Sequence, residues 1–94
     1  MNISESCSES NRFMFFEDYE EERFEEFVDV VLRALNSKVE SRESGPYSVL
    51  VIVCYAGHKL VLTSGSFEGC FISMEKNVDG GVVKKITEAF KVTG

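Results

Sequence analysis

The stretch YSVLVIVCY, residues 47–55, decides how the rest of the chain is read. Nearly every side chain in it is β-branched or aromatic, the composition of a strand with apolar neighbours. It ends at Ala56-Gly57-His58, a short turn, and resumes as KLVLTS, residues 59–64. Ser64-Gly65-Ser66 makes a second turn, and FEGCFISMEK, residues 67–76, forms a third strand. Two tight connections in succession require antiparallel neighbours, because a parallel pair needs a crossover of about a dozen residues or more. The expected centre of the fold is therefore a three-stranded antiparallel meander.

Alternation along these strands assigns their faces. Val49, Val51 and Val53, flanked by Tyr47 and Tyr55, point one way while Leu50, Ile52 and Cys54 point the other, so neither side of the first strand is polar. In the third strand Cys70, Ile72 and Met74 oppose Phe71, Ser73 and Glu75. Two helices on one face leave the other apolar face open. Either the helices and the segment Phe13–Phe16 divide both faces between them, or the uncovered face meets another protein. The second arrangement is favoured, because exposed apolar patches of that size mark interfaces.

Upstream of the strands the periodicity is helical. From Asp18 onward, Phe24, Phe27, Val28, Val31, Leu32, Leu35 and Val39 fall on one stripe of a 3.6-residue repeat. Asp18 followed by Glu21 has the spacing of an acidic N-cap with its reaching-back Glu, and the acids come early while Arg33 and Lys38 come late, as the helix dipole favours. SRESGP, residues 41–46, reads as a loop with a proline stop. Downstream, Asn77 or Asp79 caps a second helix, VVKKITEAF, with Val82 or Val83, Ile86, Ala89 and Phe90 on one side. The fold class is α+β, one small domain in the order α-β-β-β-α, with two helices packed on the meander.

Residues 1–12 are mostly Ser, Glu and Asn and are expected as a flexible acidic tail, leaving 13–94 as the domain. Phe13, Met14, Phe15 and Phe16 break that pattern. Left in water, four such groups forfeit several kcal/mol at ~25 cal/mol per Å², so they are expected to cover part of the core.

Ninety-four residues suit a single modest core, and 44% apolar with 28% charged residues is a globular composition. The longest apolar run, Val49–Gly57, is far short of the roughly 18 to 20 residues of a bilayer span. With no basic n-region or apolar h-region at the start, the cytoplasm is the expected location. Three widely spaced cysteines without a CxxC pair agree with a reducing compartment. Cys54 and Cys70 are expected in the core on the first and third strands, about 9 to 10 Å apart and unable to form a disulfide.

No catalytic, cofactor or metal signature emerges, and the chain is expected not to be an enzyme. His58 is read as a polar turn residue without an orienting carboxylate or nucleophile at legible spacing. GSFEG, residues 65–69, and DGG, residues 79–81, match neither GxGxxG nor GxxxxGK[ST] and are read as turns. Cysteine and histidine spacing does not fit zinc, and consecutive helix-borne acids radiate rather than converge on a cation. Lys59, Lys76, Lys84, Lys85 and Lys91 are read as solvated residues on the second helix and nearby turns.

Charge is the strongest remaining signal. Residues 1–29 hold ten acids against two bases, net −8, while the remainder holds eight bases against six acids, net +2. FEDYEEERFEEF, residues 16–27, carries more carboxylates than capping needs. The candidate partner-binding residues are Glu20, Glu21, Glu22, Glu25, Glu26 and Asp29. The expected function is a non-enzymatic acidic binding module, a regulator or inhibitor that sets this helix on a basic surface of a protein partner. A groove that ordinarily holds nucleic acid fits best, since spaced carboxylates substitute electrostatically for phosphates. Self-association through the spare sheet face is expected; a membrane partner is not.

In size, acidity and helix-plus-three-strand order the chain is similar to small phage-encoded inhibitors, including some anti-CRISPR proteins, and that likeness implies an inhibitor. The order α-β-β-β-α with KKITEAF, residues 84–90, also resembles the paired Alu-RNA-binding proteins of the signal recognition particle, in which two such chains join their sheets. That resemblance implies the alternative, a subunit of a dimeric RNA-binding assembly. Nucleic-acid binders carry basic footprints, however, so direct nucleic-acid binding is not expected of this acidic chain.

Overall fold

Backbone pairing builds six strands where alternation alone marks three. The computed structural model describes residues 3–46, 49–64 and 69–93. Its strands are β1 (Ile3–Cys7), β2 (Asn11–Phe16), β3 (Val39–Ser44), β4 (Val49–Tyr55), β5 (His58–Thr63) and β6 (Cys70–Glu75), with helices α1 (Phe24–Leu35) and α2 (Gly80–Thr93). All neighbours are antiparallel, in the order β1-β2-β6-β5-β4-β3. The expected meander is present as β4-β5-β6. It is extended by β3 at one side and by the β1-β2 hairpin at the other, so the α-β-β-β-α description is too small. Among the described residues the domain is a single α+β unit with one six-stranded antiparallel sheet and two helices.

The added strands lie where sequence pattern is weakest. Residues 41–44, expected in a loop, pair with β4 through Arg42 opposite Val51 and Ser44 opposite Val49. Every residue of β3 is exposed. An edge strand with both faces wet has no apolar alternation to announce it, and its charges discourage pairing with a further chain. Within the expected tail, Ile3 through Cys7 pair with Phe16 through Arg12. Ser8 closes that hairpin, its backbone N–H donating to the Asn11 carbonyl at 2.8 Å while its hydroxyl accepts from the Asn11 N–H at 3.1 Å.

Strand β2 explains the Phe13–Phe16 run. A period of two sends Met14 and Phe16 to full burial while Phe13 and Phe15 stay half-buried on the opposite face. Phe16 is the hinge of the core. Its ring lies 5.0 Å from Phe27 of α1 and 4.7 Å from Phe90 of α2, distances at which tilted and edge-on aromatic pairs attract. Around it pack Val51 and Val53, Leu60 and Leu62, and Cys70, Ile72 and Met74, all on the same face of the sheet. Both helices therefore cover one face only. The faces assigned by alternation to β4 and β6 are those observed, except that Cys54 is exposed on the uncovered face rather than in the core.

Helix α1 buries Phe24, Phe27, Val28, Val31 and Leu35 from the expected stripe, with Leu32 half-buried. Val39 is not part of the helix and lies 43% exposed in β3. The chain stops being helical at Asn36, which adopts φ 50° and ψ 49° as the Ser37 N–H reaches back to the Leu32 carbonyl at 3.0 Å. The start also differs from expectation. Asp18 does not cap α1, because the backbone is still tied to the sheet at Tyr19, whose carbonyl accepts from the Cys70 N–H at 2.8 Å. A 3-10 turn, Glu21–Arg23, then leads into the helix at Phe24 with no side-chain cap. For α2 the Asp79 carboxylate accepts from the Gly81 N–H at 3.0 Å, so Asp79 is the cap of the two candidates. Among its residues with described burial, Val83, Ile86 and Phe90 are buried.

The first turn of the meander has Ala56 and Gly57 both at positive φ, 53° and 81°, the backbone of a two-residue hairpin matched to strand twist. The second turn, with most of GSFEG, falls on residues 65–68, and Tyr47 on residues 47–48; these lie outside the described residues.

Candidate functional site

Burial of one stripe of α1 dictates where its acids go. With Phe24, Phe27, Val28 and Val31 turned to the core, Glu25, Glu26 and Asp29 are left on the outer arc. The 3-10 turn adds Glu21 and Glu22, and Glu20 precedes it; all six candidate residues are exposed. The sequence expectation placed them on one rod. The structure divides them between that turn and the first half of the helix.

Internal ion pairs split the group further. Arg42 of β3 donates through Nη2 to both carboxylate oxygens of Glu25, at 2.6 and 2.8 Å. Arg23 donates to Glu26 through Nε at 3.1 Å and Nη2 at 2.7 Å. The same guanidinium lies over the Tyr19 ring, 5.0 Å from its centroid, and donates to the Asp18 carbonyl at 3.2 Å. The hydrogen bonds that Arg23 donates to Glu26, and the negative charge of Glu26, push the Arg23 pKa above its ordinary value, so this partner stays cationic. Glu20, Glu21, Glu22 and Asp29 have no ion pair within 4 Å among the described residues. Two of the six carboxylates are thus partly neutralised, and four project into water.

Among the described residues, no three acidic, His or Cys side chains gather where they could hold a metal ion. His58 opens β5, half-buried, in a hollow of about 180 Å³ shared with Lys59 and Glu75. A wider, open depression of about 600 Å³ runs between the β1-β2 turn and the end of β6, lined by Glu9, Asn11, Glu75 and Lys76. Lys84, Lys85 and Lys91 are exposed on α2. No helix of the described residues is long and apolar enough to cross a membrane.

The sheet's other face is the feature that charge reasoning did not capture. Strand register sets Phe15, Phe71, Thr63 and Leu50 side by side in one row across β2, β6, β5 and β4. The next row reads Phe13, Ser73, Val61 and Ile52. Phe15 lies 5.3 Å from Phe71 and 6.1 Å from Phe13, a three-ring cluster with no helix above it. A one-sided antiparallel sheet ordinarily turns polar residues to water; this one does not. Because α1 covers the opposite face, the acidic arc and this apolar face look in opposite directions.

No family model, curated protein or solved structure matches the chain.

Proposed function

We propose that the chain is a non-enzymatic binding module, a regulator or inhibitor of the anti-CRISPR-like kind, that sets its acidic arc on a basic surface of a partner protein and self-associates through its sheet. The observation that supports this most is the group Glu20, Glu21, Glu22 and Asp29, exposed and with no ion pair within 4 Å among the described residues. Glu25 and Glu26 flank them at reduced effective charge. Carboxylates held beside a packed helix attract a cationic groove without the entropy loss of ordering a flexible tail, and their main contribution is to steering and specificity. A groove that ordinarily binds nucleic acid phosphate presents the matching charge.

Binding to a basic protein, measured against salt, tests the reading. Reversal of Glu20, Glu21 and Glu22 to Lys should abolish binding and flatten the salt dependence. Neutralising Glu25 and Glu26 to Gln should have the smaller effect. Binding that survives the triple reversal defeats the proposal. Retention of an RNA oligomer at low salt, lost when Lys84 and Lys85 are replaced, would instead favour the RNA-binding alternative.

A further inference from the structure

We infer that the open sheet face is the seat of a second copy of this chain, the two sheets packing face to face about a two-fold axis parallel to the strands. The inference rests on the reading of the chain as a self-associating module and adds the surface, the residues and the orientation. Six large apolar side chains form the face: Phe13, Phe15 and Phe71 on one half, Leu50, Ile52 and Val61 on the other. Each is only half-buried by its neighbours, and no element of the described chain lies over them.

Three observations select a second copy. The first is area. Six strands at ~4.8 Å spacing and about 20 Å long give a footprint of roughly 600 Å² per copy. Doubled, it reaches about 1,200 Å², the lower edge of stable specific interfaces. A single bound helix or strand would leave most of that width bare. The second is charge. The two rows carry no ionised side chain between Ser4 and Ser6 at one edge and Glu43 and Ser41 at the other. Beyond Val61 on the same face of β5 lies Lys59, which shares its hollow with Glu75, so the face offers an anionic membrane no cluster of cations. The −6 net charge does not forbid pairing, since the acidic arc faces away on both copies.

The third observation is self-complementarity. An axis between β6 and β5 lays β2 of one copy over β4 of the other, and β6 over β5. Each aromatic of β2 then meets an aliphatic, Phe15 over Leu50 and Phe13 over Ile52, while Val61 sits over Ser73 and Phe71 over Thr63. Large groups oppose smaller ones in every pair, as interdigitated sheets about 10 Å apart require. Glu43 meets Ser4, so the rims bring no like charges together.

Sedimentation equilibrium over about 1 μM to about 1 mM tests this range of affinity. The parent chain should shift from one to two monomer masses across the series. Val61→Lys and Ser73→Glu should each remain monomeric while keeping a cooperative thermal transition, because each buries an unpaired charge only in the dimer. Mixed together, they should form a heterodimer, since residue 61 of one copy lies over residue 73 of the other. A parent that stays monomeric overturns the inference, whether it is free, bound to vesicles or held by another protein through this face. So does a dimer indifferent to both variants. The Glu20, Glu21 and Glu22 reversal should leave the dimer intact, so loss of basic-surface binding and loss of the dimer are separate results.

Discussion

Arg42 and Glu25, seventeen residues apart, meet in a two-pronged ion pair, Nη2 lying 2.6 and 2.8 Å from the two carboxylate oxygens. The contact ties the edge strand β3 to the first turn of α1. It also screens one member of the acidic arc. Both side chains remain largely in water, at 43% and 72% exposure, so its contribution to stability is under about 1 kcal/mol. Replacing Arg42 with Ala should barely move the urea midpoint and should tighten salt-dependent binding to a basic protein. The two measurements together separate a charge-screening role from a structural one.

Gly69 is the least replaceable glycine among those described. At φ 86° a Cβ there would sit 2.3 Å from the Phe16 carbonyl oxygen, which accepts from the Tyr19 N–H, and 3.0 Å from the Tyr19 carbonyl oxygen, which accepts from the Cys70 N–H at the start of β6. Gly69→Ala should cost more than about 3 kcal/mol, or prevent folding, because left-handed strain and a backbone collision add. Gly57 has a similar φ of 81° with nothing within 4 Å. Gly57→Ala should cost only about 1 to 2 kcal/mol. Urea denaturation of the two variants measures the difference.

Phe15 and Phe16 are adjacent in sequence and should behave as opposites. Phe16→Ala removes the ring that both helices pack on and should cost about 3 to 5 kcal/mol. Phe15→Ala, on the open face, should cost much less in the monomer and should instead weaken self-association. Denaturation at low concentration and sedimentation at high concentration give the two readings.

Asp79→Ala should destabilise the domain by about 1 kcal/mol through loss of the cap on α2. A chemical melt measures it. Asp79→Asn, which keeps an acceptor for the Gly81 N–H, should recover most of the loss.

The thiols should divide two to one. Cys7 and Cys54 are exposed and Cys70 is fully buried. In dilute native protein, a thiol reagent should titrate two groups quickly and the third only on unfolding. Fast labelling of three would contradict the packing of Cys70 against the helices.

Much of this structure is legible in local pattern. The alternation of Val49–Tyr55 and Cys70–Glu75 gave the right faces. The 3.6-residue stripe from Phe24 to Leu35 gave the buried side of α1, and Asp79 was one of two proposed caps. Cys54 was misplaced because an uncovered apolar face and a core face have the same pattern. The helix start was misplaced because the bond from Cys70 to Tyr19 holds Asp18 and Tyr19 near the sheet, and no spacing within residues 18–21 reports on residue 70. Of the six candidate acids, the sequence supplied the identities and the local Arg23–Glu26 spacing; the Arg42 partner of Glu25, seventeen residues away, came from folding.

What the sequence alone determined is whatever depends on neighbours within a few positions: the meander, the amphipathic helices, the segregation of negative charge toward the first 29 residues. Only the tertiary structure decided that VESRES is an edge strand, that ISESC joins the sheet, and that the acidic arc and the aromatic face point apart. Those features are settled by hydrogen-bond register between distant segments, and an exposed edge strand needs no hydrophobic periodicity to be paired.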